Sequence, residues 1–229
     1  MKIALAIIVA ALAILLGPVV WQFAHYQPQD VPTSGLPWQI ETLPGGEAQV
    51  FGLTLGKSTL ADARARFGPE MQLAVIAEPG EDGNVEGYYE SVTAGFVAGK
   101  LIVTAELSPE LIAGMRERAP KTQYMQSTTR RATLAPADEA AALAAPIRGL
   151  AFIPGAQLDE AVILERFGQP AERIRVNAHQ EHLLYPGKGL DLVLDSKGRE
   201  LLQYVAPARF EALRAPLLAQ AAGGKPDKP

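Results

Sequence analysis

The sequence predicts an α+β fold of two related units, each a short helix, a three-stranded antiparallel meander and a trailing helix, preceded by one transmembrane helix. Three observations predict it. An uncharged apolar run opens the chain, a glycine–helix–Phe-Gly pattern occurs twice, and alternating apolar residues follow each copy. The 229 residues are 48% hydrophobic, which is enough for a folded body with a core.

Composition excludes several function classes. The net charge is −4 and no dense Lys/Arg cluster occurs, so the electrostatic footprint of a nucleic-acid-binding protein is missing. The chain has no cysteine, so disulfides, thiolate zinc sites, a cysteine nucleophile and an acylated cysteine are impossible. We expect no nucleic-acid partner and no cofactor.

The first segment predicts a membrane anchor over residues 1–26. Residues 3–20 carry no charge and approach the roughly 20 residues that a helix needs to cross a bilayer core. The aromatic residues Trp21, Phe23 and Tyr26 follow, as in the aromatic belt at a membrane interface. We therefore expect contact with the membrane through residues 3–22.

The positions of the first basic residues predict the topology. Lys2 is the only Lys or Arg before Lys57, so the positive-inside bias places the N-terminus in the cytoplasm and the C-terminal domain in the periplasm. The expected location is the inner membrane, with a single pass and a signal anchor. The alternative is a cleaved signal peptide and secretion to the periplasm, although the apolar run is long for one and no small-x-small site follows it.

A tandem repeat sets the domain boundaries. In both copies a glycine precedes a helix that ends at Phe-Gly with proline close behind, a stop signal because glycine can adopt positive φ and proline cannot continue a helix. The repeat residues are Gly56, Phe67, Gly68, Pro69, Gly155, Phe167, Gly168 and Pro170. The predicted parts are an anchor (1–26), a Pro/Gly-rich spacer (27–47), a first unit (48–120), a linker with a short helix (121–149), a second unit (150–218) and a disordered tail (219–229).

Local patterns predict the elements inside each unit. Ser58 can cap the first helix, and alternation at Leu190, Leu192 and Leu194 predicts a half-buried strand. The remaining strands are predicted near 73–77, 87–94, 101–107, 183–185 and 201–205, and the trailing helices begin at Pro109 and Pro207.

Both units resemble the small α/β repeat of SmpA/BamE-type outer-membrane assembly proteins and of β-lactamase-inhibitor-like domains. The resemblance rests on the glycine before each helix and on the Phe-Gly-x-Pro pattern that ends it. The resemblance leaves out the anchor and the spacer. It implies an envelope scaffold or protein-binding module, and it implies no catalytic residues. The missing acylated cysteine departs from the lipoprotein members.

Four groups of residues are candidates for a chemical role. His179 and His182 with Glu172 and Glu181 form the one His–carboxylate cluster, but positions three apart on a strand face opposite sides, so we expect solvated residues rather than a metal site. The acidic stretch Glu78, Glu81, Asp82, Glu86 and Glu90 lacks the spacing of a calcium loop, so a solvated turn is expected. Arg130 and Arg131 could contact an anionic partner, with a solvated linker as the default, and Tyr88, Tyr89 and Tyr185 are expected in strands.

No hydrolase elbow, phosphate loop, dinucleotide fingerprint or zinc-protease helix occurs, so no enzyme activity is supported. The leading hypothesis is a membrane-anchored periplasmic protein-interaction or scaffold module with an envelope-protein partner. The alternatives are a lipid- or small-molecule-binding protein, and an inhibitor of an envelope enzyme.

Overall fold

The computed structural model describes residues 34–125 and 128–223 of the chain. In this part the fold is mostly β, with a ten-stranded antiparallel sheet, a three-stranded sheet and five helices. The predicted α+β class with two separate meanders is therefore wrong. The physical reason is that a strand beginning in the segment between the two copies, residues 147–154, pairs with one strand of each copy and so joins both copies into one sheet.

The five helices are short. They are α1 (Leu60–Phe67), α2 (Pro109–Glu117), α3 (Pro136–Ala144), α4 (Glu160–Phe167) and α5 (Glu211–Gly223). The small sheet consists of β1 (Glu41–Thr42), β2 (Ala48–Val50) and β3 (Leu53–Thr54).

The large sheet contains strands from both copies and from the segment between them. Its strands are β4 (Gln72–Ala77), β5 (Asn84–Ala94), β6 (Val97–Ala105), β7 (Lys121–Tyr124), β8 (Arg130–Thr133), β9 (Ile147–Pro154), β10 (Glu172–Arg175), β11 (Gln180–Tyr185), β12 (Leu190–Asp195) and β13 (Leu201–Val205). Their order is β10-β11-β12-β13-β9-β6-β5-β4-β8-β7, so β10 and β7 are the two edges. The second copy contributes β10 to β13 and most of β9, rather than the predicted three strands.

Strand β9 joins the two copies. It pairs with β6 on one side and β13 on the other, and Phe152 lies opposite both Leu101 and Leu202. Ile147, Leu150 and Phe152 are buried, as expected of a strand in the middle of a sheet. Part of the segment that the sequence assigned to a linker is therefore core.

The two repeat helices end in the same way. Gly68 follows α1 with a φ of 106°, and Gly168 follows α4 with a φ of 82°. Each glycine N–H donates to a helix carbonyl four residues earlier. At the start of α1 the cap is Thr59 rather than the expected Ser58, because the Thr59 side chain accepts from the Asp62 N–H in a capping box.

A tyrosine holds each of these helix ends. The Tyr185 hydroxyl donates to the Gly168 carbonyl at 3.0 Å, and the Tyr89 hydroxyl lies 3.1 Å from the Gly68 carbonyl. The Tyr89 and Tyr185 rings also contact Phe67 and Phe167, with ring centroids 5.9 and 6.2 Å apart. Each tyrosine thus ties its helix to the sheet.

The two sheet faces bury different apolar clusters. The main cluster holds residues from α1, α2, α3 and α4 together with one face of the large sheet. On the opposite face a small cluster of Ile174, Leu184 and Phe210 packs against Leu213 and Leu217 of α5. The two trailing helices therefore cover opposite faces: Ile112 and Met115 of α2 belong to the main cluster, whereas α5 belongs to the small one.

Residues 34–47, which the sequence assigned to a spacer, pack against the domain. Leu36 is buried, and the buried Tyr204 hydroxyl donates to the Pro37 carbonyl at 3.0 Å. Trp38 contacts Phe167 edge-on, with ring centroids 6.3 Å apart. The prolines and glycines of this segment predict an extended spacer, but its aromatic contacts hold it against the domain.

The predicted membrane topology requires a correction. Within residues 34–125 and 128–223 no helix is long and apolar enough to cross a membrane. The predicted anchor, residues 1–26, and the first part of the spacer lie outside the described residues. The structure therefore does not support a transmembrane helix, a signal anchor or a single-pass inner-membrane location. Of the predicted disordered tail, residues 219–223 belong to α5, and residues 224–229 lie outside the described part.

Candidate functional site

The repeat residues lie at structural positions rather than in one exposed site. Phe67 and Phe167 contact the core, and Gly68 and Gly168 end the helices. Pro69 and Pro170 follow within two residues of these glycines. Gly56 and Gly155 donate backbone N–H bonds to the carbonyls of Ile147 and Ala98, both at 2.8 Å. These residues shape the two repeats.

His179 and His182 each contact a different carboxylate. His179 Nδ1 is 2.9 Å from Asp195 Oδ1, whereas His182 Nδ1 is 2.9 Å from Asp191 Oδ2. His182 and Asp191 are both buried, on the sheet face that carries the small cluster. Among the described residues, no group of three His, Cys, Asp or Glu side chains could hold a metal ion.

A polar cleft of about 300 Å³ lies beside His179, between the start of α4 and the ends of β11 and β12. Its carboxylates include Asp195 and Glu200, and Glu200 accepts a bond from the Leu158 N–H at 3.1 Å. The Lys197 N–H and the Gln180 side chain, followed by the His179 ring, lower the pKa of Asp195 to about 2. Asp195 therefore stays ionised to a lower pH than an ordinary aspartate, and its oxygens accept hydrogen bonds from groups within the protein.

The acidic stretch does not converge on one point. Glu78 accepts from the Thr129 hydroxyl at 2.5 Å, and Glu90 pairs with Lys100 at 2.8 Å. Glu86 lies on β5, where burial raises its pKa to about 7 against the opposing effect of Arg148. The side chains of this stretch therefore have separate roles in the sheet and its turns.

One edge of the large sheet, β7, is exposed along its whole length. All four of its residues are exposed, Tyr124 by 74%, and the following Met125 is 50% exposed. Sequence reasoning missed β7 because Lys121–Tyr124 is polar. The available signal was a short run with a β-prone tyrosine after Pro120, followed by a second polar run in β8.

The pairing of β7 with β8 shows which backbone groups point outward. The Met125 N–H donates to the Thr129 carbonyl at 3.0 Å, and Tyr124 lies opposite Arg130. Because bonded and non-bonded pairs alternate in an antiparallel ladder, the N–H and C=O groups of Thr122 and Tyr124 face away from β8. The large sheet, as described, ends at β7, so these four groups are available to an added strand.

The β7–β8 hairpin is basic. Its two strands carry Lys121, Arg130 and Arg131 and no carboxylate. Arg131 donates to the neutral Gln72 side chain at 2.8 Å. The sequence had singled out Arg130 and Arg131 as possible contacts for an anionic partner, and the structure places them beside an open edge.

The opposite edge, β10, is covered by its own side chains. Arg173 pairs with Glu160 of α4 at 2.7 Å and with Glu181 at 3.4 Å. Glu172 pairs with Arg214 of α5 at 2.7 Å, and Ile174 is buried beneath α5. Charged side chains and a covering helix are the usual protection of an edge strand.

Comparison with known proteins gives no match among family models, curated proteins or solved structures.

Proposed function

We propose that this protein is an interaction module that binds an extended segment of a partner protein by strand addition to β7. One observation carries the proposal: Thr122 and Tyr124 turn their backbone N–H and C=O groups outward on a fully exposed edge strand. Strand addition uses such groups for affinity and alternate side chains for specificity.

The size of the edge sets the expected strength of binding. Four backbone hydrogen bonds contribute roughly 0.5–1.5 kcal/mol each, before the entropy of ordering the partner segment is subtracted. The exposed Tyr124 ring adds apolar contact area. The interaction is therefore weak and reversible, as in a scaffold that samples its partners.

The resemblance to SmpA/BamE-type domains that the sequence pattern suggests, which no comparison tests, implies the same function, because members of that group usually serve as scaffolds. Inhibition of an enzyme is a narrower form of the proposal, in which the partner is an enzyme. A lipid-binding function is less favoured by the cleft beside His179, since charged and polar side chains line most of it.

A photo-crosslinking amino acid at position 124 of the full-length chain, in its own cells, tests the proposal. The matched control carries the crosslinker at position 162, where Val162 is also exposed on a helix. We expect capture from position 124 alone, with the crosslink falling in an extended segment of the partner.

Proline substitutions show whether the backbone edge is responsible. Thr122→Pro removes an outward N–H and no bond to β8, so the fold tolerates it, as proline is tolerated on edge strands. Arg175→Pro is the control on β10: the Val176 N–H bonds to the Gln180 carbonyl, so the neighbouring Arg175 N–H points outward. Crosslinking that survives Thr122→Pro, or that is lost equally in Arg175→Pro, contradicts the proposal.

A further inference from the structure

We infer that the segment received by β7 is acidic, with carboxylate side chains at alternate positions. This inference rests on the proposed function and names the chemistry of the partner. The evidence for the inference is the set of basic side chains on the β7–β8 hairpin and their arrangement on its two faces.

The register divides the hairpin side chains between the two faces of the sheet. Lys121 lies opposite Thr133 and Gln123 opposite Arg131, so Lys121, Gln123 and Arg131 share one face. Thr122, Tyr124 and Arg130 share the other face. An added strand therefore meets basic side chains on its Lys121 side, and the Tyr124 ring with Arg130 on its other side.

The three basic side chains of the hairpin form no ion pair within the described part of the chain, and the Glu78 carboxylate that contacts the hairpin accepts from the Thr129 hydroxyl. Lys121 and Arg130 have no ion pair there, and Arg131 bonds to the neutral Gln72 amide. By contrast, Arg173 on β10 is paired with Glu160. An acidic segment supplies at β7 the carboxylates that the protein itself supplies at β10.

Charge also decides between an acidic segment and a second copy of this chain. Pairing β7 with the β7 of another copy would bring a second Lys121, Arg130 and Arg131 against the first set, and like charges at an interface oppose association. The whole chain has a net charge of −4, so the positive hairpin is a local feature and not a consequence of composition.

The test measures binding of short fluorescent peptides to the full-length protein by anisotropy. Three peptides alternate threonine with glutamate, with glutamine or with lysine, so they share backbone and strand propensity and differ in charge. The protein variants are Lys121→Gln, Arg131→Gln and Thr122→Pro. Lys57→Gln is the control, since Lys57 pairs with Glu47.

We expect the glutamate peptide to bind most tightly, the glutamine peptide more weakly and the lysine peptide not at all. Lys121→Gln and Arg131→Gln should each weaken the glutamate peptide about fivefold, as loss of a rim charge does, and added salt should reduce the effect. Thr122→Pro should weaken both binding peptides, and Lys57→Gln neither.

Any other result contradicts either the acidic character of the segment or strand addition itself. Equal binding of the glutamate and glutamine peptides, lost in Thr122→Pro, overturns the acidic assignment and leaves strand addition standing. Binding of no peptide, or binding that Thr122→Pro does not alter, overturns the proposed function and the inference together. A dimer that Thr122→Pro dissolves shows a second copy at the edge and overturns the acidic assignment.

Discussion

The two edges of the large sheet differ in how they are protected. At β10, Arg173 and Glu172 form ion pairs with α4 and α5, and Ile174 is buried. At β7 the strand is exposed along its length, and the cations of the β7–β8 hairpin have no such pairs in the described part of the chain. An edge strand with exposed backbone groups is a template for pairing with another chain, so the proposed binding rests on β7 and not on the opposite edge, β10.

The difference follows from the trailing helices of the two repeats. After β13, Phe210 and α5 turn onto the face beside β10 and close the small cluster there. After β6, α2 turns onto the opposite face, where Ile112 and Met115 join the main cluster. The first repeat therefore has no helix equivalent to α5 on that face, and the hairpin that follows α2 becomes the edge.

The largest expected effect comes from removing the cover of β10. Phe210→Ala should destabilise the protein by about 3 kcal/mol, because a large buried aromatic side chain leaves a cavity in a small cluster. Tyr124→Ala, at the exposed edge, should change stability by less than about 0.5 kcal/mol. Chemical denaturation measures both. Similar losses for the two variants would mean that β7 is covered too.

Different residues in the two halves of the sheet should set the pH dependence of the free energy of unfolding. In the half nearer β7 the residue is Glu86. Burial raises the pKa of Glu86 on β5 from 4.5 to about 7. The folded state then binds the Glu86 proton more tightly than the unfolded state, so stability falls as pH rises from 4.5 to about 7. The expected fall is on the order of 1–3 kcal/mol.

Two variants separate the pH effect of Glu86 from that of Asp195, which lies in the half nearer β10. Glu86→Gln should flatten the stability profile between pH 4.5 and about 7. Asp195 on β12 has its pKa lowered from 3.8 to about 2, so its contribution is present above 3.8 and is lost as pH falls toward 2. Asp195→Asn should therefore alter only the acid side. Denaturation across pH checks both, and an unchanged slope in Glu86→Gln would refute the assignment.

The smallest effect is expected from an ion pair that protects β10. Arg214→Ala removes the contact with Glu172, whose atoms are 2.7 Å apart and partly exposed to solvent. We expect a small loss of stability that disappears at high salt, because exposed pairs are screened. Arg130→Ala, which breaks no pair in the described residues, should show no such salt dependence. Thermal melts at two salt concentrations measure it.

The sequence predicts the repeat helices well because their ends depend on local chemistry: only glycine adopts the positive φ of Gly68 and Gly168 at little cost. It does not predict β9, whose central position depends on pairing with two distant strands. It also misses β7, since a polar strand carries little periodic signal. Arg130 and Arg131 were visible as candidates, but their position beside an open edge is a tertiary property.

Backbone amide exchange tests the strand addition most directly. When the threonine–glutamate peptide is added to the full-length protein, we predict new protection of the Thr122 and Tyr124 N–H groups, which point outward. The Gln123 N–H, which faces β8, and the outward Arg173 and Arg175 N–H groups on β10 should not change. Peptide binding without protection at Thr122 and Tyr124, or with protection at β10 instead, would contradict the account.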